Sequence, residues 1–358
     1  MLLSESPTIG DAVKLGALLV ISSLTIGAQV PSSEIDPAGY ADADAFSSML
    51  ATAFPEILEE SQPNSTISPI ASDDGITIAT DSPSENELLD SGAQLVPPPT
   101  VYVEFATGVI APEIEGVYRL EVEDKDSVAF LQETQWGYRI ISTIGSSDSP
   151  TAFSYDVDLP HDTRMDETAD LIYMVGPSEE VLATLEVPWA RDANGLDVHT
   201  YFTWSEGVLT QHVELTGSET FPVLADPAWS YSYSYNTGKT PVAVERILKS
   251  CFNCHFPVAG APRNFPTFNQ LLPLTVAFNN YECTMGRLER TSTTFNFGFV
   301  ATRNHFHGQG STIKFSFRSD NRLYVNARIN NGWINNAVYR AAAAANWAVF
   351  ANNLRNAS

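Results

Sequence analysis

FPVLADPAWSYSYSYNTGKTP, residues 221–241, divides this chain into two parts of opposite character. From Met1 to Trp229 six Lys or Arg face 39 acidic residues, a formal balance of −33. Beyond Trp229 thirteen basic residues face four acids (Glu245, Glu282, Glu289 and Asp320), a balance of +9. The overall charge of −24 therefore describes neither part. A length of 358 residues suits two domains and tails, each large enough to bury a core. Cys251, Cys254 and Cys283 are the only cysteines, which excludes a disulfide-dense miniature scaffold.

Upstream of that division, Leu15–Ile26 (LGALLVISSLTI) is an apolar run too short to span a bilayer and is followed by the small pair Gly27-Ala28. It predicts a signal peptide over residues 1–28 and a secreted or cell-envelope protein. Residues 29–100 contain no Lys or Arg, and their acids alternate with Ser, Thr and Pro, the composition of a disordered linker or pro-segment. A short helix is expected within Ala45–Leu58, interrupted by Pro55. Residues 101–228 alternate with period two, as in Ala152–Leu159 and Val208–Leu215, and carry turn residues at Asp192–Gly195 and Ser205–Gly207. The predicted fold is multidomain: an N-terminal all-β, sandwich-like domain followed by a C-terminal α+β domain, residues 229–358, with an antiparallel sheet and a closing helix.

Phe221-Pro222-Val223-Leu224-Ala225-Asp226-Pro227 resembles the aromatic-Pro-Val-x-x-Asp-Pro ending of β-rich modules in exported Gram-positive proteins. With a Cys-x-x-Cys segment after it, the arrangement is similar to a group of secreted actinobacterial proteins. The resemblance implies export and a boundary near Trp229, and it transfers no activity to this chain.

In the downstream part, Thr240-Pro241 forms a helix start, and Val244, Ile247, Leu248 and Cys251 share one stripe. That helix delivers Cys251-Phe252-Asn253-Cys254-His255. The spacing matches a c-type haem attachment signature, but the strands that follow are foreign to helical cytochromes. A disulfide within the pair or to Cys283 is the principal expectation. Zinc held by Cys251, Cys254, Cys283 and His255 or another histidine, and a redox-active pair, are the alternatives.

Two further constellations carry chemistry. His305 and His307, beside the Gly-rich turn Gly308–Gly310 and with Arg303 nearby, supply two imidazoles suited to acid and base work in a toxin or hydrolase. In the hairpin formed by Ile313–Arg318 and Leu323–Ile329, period two points Lys314, Ser316 and Arg318, then Tyr324, Asn326 and Arg328, away from the apolar set. Lys314, Arg318, Tyr324 and Arg328 are the candidate binding residues for an anionic envelope polymer or membrane surface, without catalysis and without a specific nucleic acid partner. The acidic stretch 29–100 is a candidate intramolecular competitor for the same face.

Overall fold

The computed structural model describes residues 54, 67–72, 74–80, 92–122, 127–276, 279–331 and 337–358. All fall within one compact unit, Asp36–Ser358. The leader and the helix expected within 45–58 lie outside the described residues, apart from Phe54, which is fully buried against Val117, Phe130, Ile141 and Leu224. Among the described residues no helix is long and apolar enough to cross a membrane.

In chain order the first strands are β1 (Ile67–Ser72), β2 (Gly75–Thr80), β3 (Gln94–Val96), β4 (Val101–Val103), β5 (Ala106–Ile114), β6 (Val117–Val122), β7 (Ala129–Thr134) and β8 (Gly137–Ile144). Next come β9 (Ala152–Val157), β10 (Arg164–Glu167), β11 (Leu171–Val175), β12 (Val181–Glu186), β13 (Trp189–Arg191), β14 (His199–Ser205), β15 (Val208–Glu214), β16 (Val223–Asp226), β17 (Ala228–Ser230) and β18 (Ser232–Asn236). Helices α1 (Pro241–Ser250) and α2 (Phe252–His255) follow. The chain closes with β19 (Leu271–Val276), β20 (Asn279–Met285), β21 (Glu289–Arg290), β22 (Thr294–Ala301), β23 (Thr312–Arg318), β24 (Arg322–Arg328) and α3 (Ala337–Arg355).

The all-β part is sandwich-like. One sheet runs β1-β2-β4-β9-β15-β14, and the other runs β10-β11-β12-β17-β8-β7-β6-β5 with β13 and β16 attached. Period two makes each sheet apolar on one face, and Ile76, Val101, Tyr155 and Leu209 of the first meet Leu131, Ile140, Leu185 and Trp229 of the second in one core. The expected turn chemistry is present: Asp192 Oδ1 accepts from the backbone N–H of Asn194 and Leu196, both at 2.9 Å, and Gly195 takes φ +74°.

The disordered linker expected over residues 29–100 is corrected at the residues described there, 67–72, 74–80 and 92–100. Strands β1 and β2 pair as a hairpin, with Ser72 opposite Gly75 and Ile76 and Ile78 fully buried, and this hairpin is the edge of the first sheet. The alternation Ile76-Thr77-Ile78 meets the strand requirement that the acidic average of the segment concealed. Residues 94–96 form β3, which leaves the sandwich altogether.

The α+β part is one antiparallel sheet, β19-β20-β22-β23-β24-β18-β3, with β21 paired to β22. Its covered face is a phenylalanine layer: Phe295, Phe297, Phe299, Phe315 and Phe317 pack under Phe252, Phe256 and Phe350 from the helices. Thr240 caps α1, its Oγ1 accepting from Ala243 N–H, with Pro241 at the first helical position. The division near Trp229 is shared between the sheets: β17 pairs with β12 and β8, and after Tyr231 the chain crosses into β18, which lies between β24 and β3.

Candidate functional site

The outward face of the β23–β24 hairpin does not look onto solvent. Arg318 and Tyr324 are each 1 % exposed, and Ser316 is fully buried. Strands β10–β12 cover them. Arg318 pairs with Asp166, Lys314 Nζ lies 2.5 Å from Asp170, and Arg328 Nη1 lies 3.7 Å from Glu186. The Arg328 guanidinium also sits 5.0 Å from the Trp136 ring centroid. The Tyr324 hydroxyl donates to Asp320 and accepts from Val181 N–H at 3.0 Å, and burial raises its pKa well above the usual phenol value. Of the expectations for this face, the alternation is present, but its exposure is corrected: Lys314, Arg318 and Arg328 are matched to acids of the all-β part, and Tyr324 is buried between its own Asp320 and the Val181 backbone.

The cysteines are arranged in one of the ways the sequence allowed. Cys251 and Cys254 are joined, with Cα atoms 5.4 Å apart, while Cys283 is a buried free thiol whose pKa burial pushes up to about 12. His255 is half-buried, and its carbonyl accepts from Asn353 Nδ2 at 2.9 Å, tying α2 to α3. Among the described residues no three His, Cys, Asp or Glu are grouped to hold a metal ion.

His305 and His307 do come together. The loop after β22 folds back on itself through His305 N–H to Thr302 O (3.0 Å) and Gly308 N–H to His305 O (3.0 Å). Gly308 and Gly310, at φ +90° and +82°, allow that reversal. Asn331 N–H (2.8 Å) and Ser311 Oγ–H (2.7 Å) both donate to His307 O, which fixes the tip. The rings then pack in series: Tyr281 tilted against Phe306 at 4.6 Å, Phe306 stacked on His305 at 4.9 Å, His305 tilted against His307 at 4.6 Å, and His307 edge-on to Tyr339 at 5.3 Å. His305 Nδ1 accepts from His307 N–H at 3.2 Å, so protonation there would break that bond. His307 Nε2 lies 2.6 Å from the Tyr339 hydroxyl. Burial lowers the pKa of His305, and burial together with the neighbouring His305 carries His307 down to about 3. Arg303 is exposed and stands outside this cluster.

The two histidines line a cavity of about 590 Å³ between the sheet and the first half of α3. Phe256, Phe299, Ile313 and Trp347 supply much of its wall. The described lining contains no Asp or Glu, and its only cation is Arg340. Arg340 makes no ion pair among the described residues. Tyr339, Arg340 and this cavity were not anticipated from the sequence. The available signal is the run Ala341–Ala345: Ala342 and Ala343 reach the lining, and short side chains there leave room above the sheet.

Chemically, the site combines an apolar chamber, a neutral His307–Tyr339 hydrogen bond and one cation. An imidazole that titrates near 3 is a poor general acid at neutral pH, and a phenol raised by burial to about 12 is a poor nucleophile. Such a site is suited to holding a molecule. Comparison with protein-family profiles, with curated proteins and with solved structures yields no match to this chain.

Proposed function

We propose that this is an exported, non-catalytic binding protein of the cell envelope or its surroundings, and that its ligand is an anionic amphiphile. The apolar body of the ligand occupies the chamber beside Phe256, Ile313 and Trp347, and its anionic head meets Arg340. Export rests on the apolar run Leu15–Ile26. The choice of ligand rests chiefly on one observation: Arg340 lines an apolar cavity of about 590 Å³ with no ion-pair partner among the described residues. A cavity of that size falls within the span of small-molecule sites, about 300–1,000 Å³. A cation facing apolar walls favours a ligand that brings its own charge. The preference for anions carries over from the basic composition downstream of Trp229, but it moves from the hairpin face to this chamber. Lys314, Arg318 and Arg328 already have acidic partners or neighbours within the chain.

Titration of the full chain with the fluorescent fatty acid cis-parinarate tests this reading. Saturable, one-to-one uptake is expected, weakened about tenfold by Arg340→Gln, the scale of one charge-assisted hydrogen bond. The corresponding fatty alcohol should bind both forms alike. Absence of saturable uptake, or equal loss of acid and alcohol binding in the variant, would overturn it.

A further inference from the structure

The Cys251–Cys254 bridge is unlike a structural staple. It closes only three residues of chain, the arrangement in which a cross-link removes least freedom from the unfolded state. It joins no distant elements. The turn it spans is already held without it: Phe252 is fully buried, stacks on Phe256 at 4.8 Å and meets Phe297 and Phe265 edge-on. Phe252 N–H donates to Arg263 O at 2.7 Å, Phe256 N–H donates to Phe252 O at 2.9 Å, and Asn353 grips His255 O from α3. On opening of the bridge the two sulfurs would move apart to van der Waals contact, while these contacts would still hold the backbone of the turn.

Two more observations concern the sulfurs themselves. Cys254 is exposed and Cys251 half-buried, whereas the third cysteine, Cys283, is 3 % exposed. Asn253 Oδ1 lies 3.3 Å from Cys251 Sγ. A bridged sulfur carries no hydrogen, so this approach becomes a hydrogen bond only when Cys251 is a thiol. The reduced form thus has a partner already in place.

We propose that Cys251 and Cys254 form a redox-active dithiol–disulfide site that exchanges with external thiols while the protein stays folded. The thiolate of a low-molecular-weight thiol attacks the exposed Cys254 Sγ. The S–S bond breaks, Cys251 leaves as a thiolate and takes a proton from water, and a mixed disulfide remains on Cys254. A second thiol attacks the external sulfur of that mixed disulfide, releasing the oxidised small disulfide and the Cys254 thiolate. Two electrons pass to the protein and two thiols are oxidised. The reverse sequence, driven by an oxidised small disulfide, closes the bridge. This site is independent of what fills the cavity.

The test uses the full oxidised chain in native buffer with millimolar glutathione, followed by alkylation, mass mapping of the peptide containing Cys251 and Cys254, and near-ultraviolet circular dichroism. The expected result is alkylation of both residues with the folded spectrum intact, Cys283 unmodified, and the bridge restored by oxidised glutathione. Treated with oxidised glutathione, Cys251→Ser should hold a stable glutathione adduct on Cys254, with one reduced glutathione released. Cys254→Ser should form its adduct on the half-buried Cys251 at least about tenfold more slowly. A bridge that opens only in denaturant, a folded spectrum lost on reduction, or a Cys251→Ser chain that takes up no adduct from oxidised glutathione would each overturn the proposal.

Discussion

The guanidinium of Arg318, on β23, lies 4.9 Å from the ring centroid of Tyr173, on β11, and pairs with Asp166 on the neighbouring β10. Arg318 is the most deeply buried charge of the basic part, and its acid belongs to the acidic part. The opposite charges of the two halves thus meet inside the molecule. Beside this pair Leu171, Tyr173, Val175, Val181 and Tyr324 form a small apolar cluster, and the Arg318 side chain is 1 % exposed whereas that of Asp166 is 31 % exposed. The pair is therefore costly to break from the acid's side, because the Arg318 charge would be left desolvated and unpaired.

Asp166→Ala, which leaves the buried Arg318 guanidinium without its acid, is therefore expected to destabilise the protein by about 3 kcal/mol in denaturant unfolding. Lys314→Ala, which removes the more exposed partner of Asp170, should cost about 0.5 kcal/mol. Equal effects would mean that burial does not distinguish the two contacts.

His307 gives a prediction in pH. Its folded pKa, about 3, lies below the ordinary value of 6.5. As pH falls through 6.5 the unfolded chain takes up a proton that the folded chain refuses, so this residue lowers stability progressively from neutral pH towards 3. His307→Gln keeps a hydrogen-bonding group beside Tyr339 and removes the titration. The stability of the variant relative to the native chain should rise by on the order of 2 kcal/mol between pH 7 and pH 4. A difference that does not vary with pH would show that His307 titrates normally.

Gly137 opens β8 at φ +151°, and a Cβ there would lie 2.0 Å from the Trp229 carbonyl oxygen. Gly137→Ala should cost about 3 kcal/mol or more, since two paired strands would have to separate. Gly195 also has positive φ, but a Cβ there would meet nothing within 4 Å. Gly195→Ala is expected to cost only about 1 kcal/mol, its backbone strain alone. Thermal unfolding of the two variants side by side measures the contribution of close approach.

Ala343 lines the cavity from α3. Ala343→Trp is expected to abolish cis-parinarate uptake while changing stability by no more than about 2 kcal/mol. Uptake that survives the larger side chain would place the probe elsewhere on the surface.

Much of the fold was legible because it follows local rules. Thr240-Pro241 fixed a helix start, the alternation of Ile313–Arg318 sorted its side chains to two faces, and Cys-x-x-Cys brought two sulfurs within reach of each other. The hairpin at 67–80 was obscured by the acids on either side of it, although Ile76 and Ile78 alternate as a strand requires. What covers the face of Lys314, Arg318 and Tyr324 was not legible, since period two says which side chains share a face and nothing about what lies opposite. The cavity was harder still. It arises because Ala342 and Ala343 on one helix stand over Phe299 and Ile313 from two strands, a match between segments far apart in the chain.

Strand β3, three residues long, lies in the chain between the sandwich strands β2 and β4 yet completes the sheet of the α+β part by pairing with β18. The later part therefore holds a piece of the earlier one. A protease that severed the connector near Tyr231 would produce two polypeptides that stay clasped, and the later one released alone would carry a raw sheet margin ready to recruit a stranger. Within the unit Asp36–Ser358, the two parts are thus joined by more than their connector.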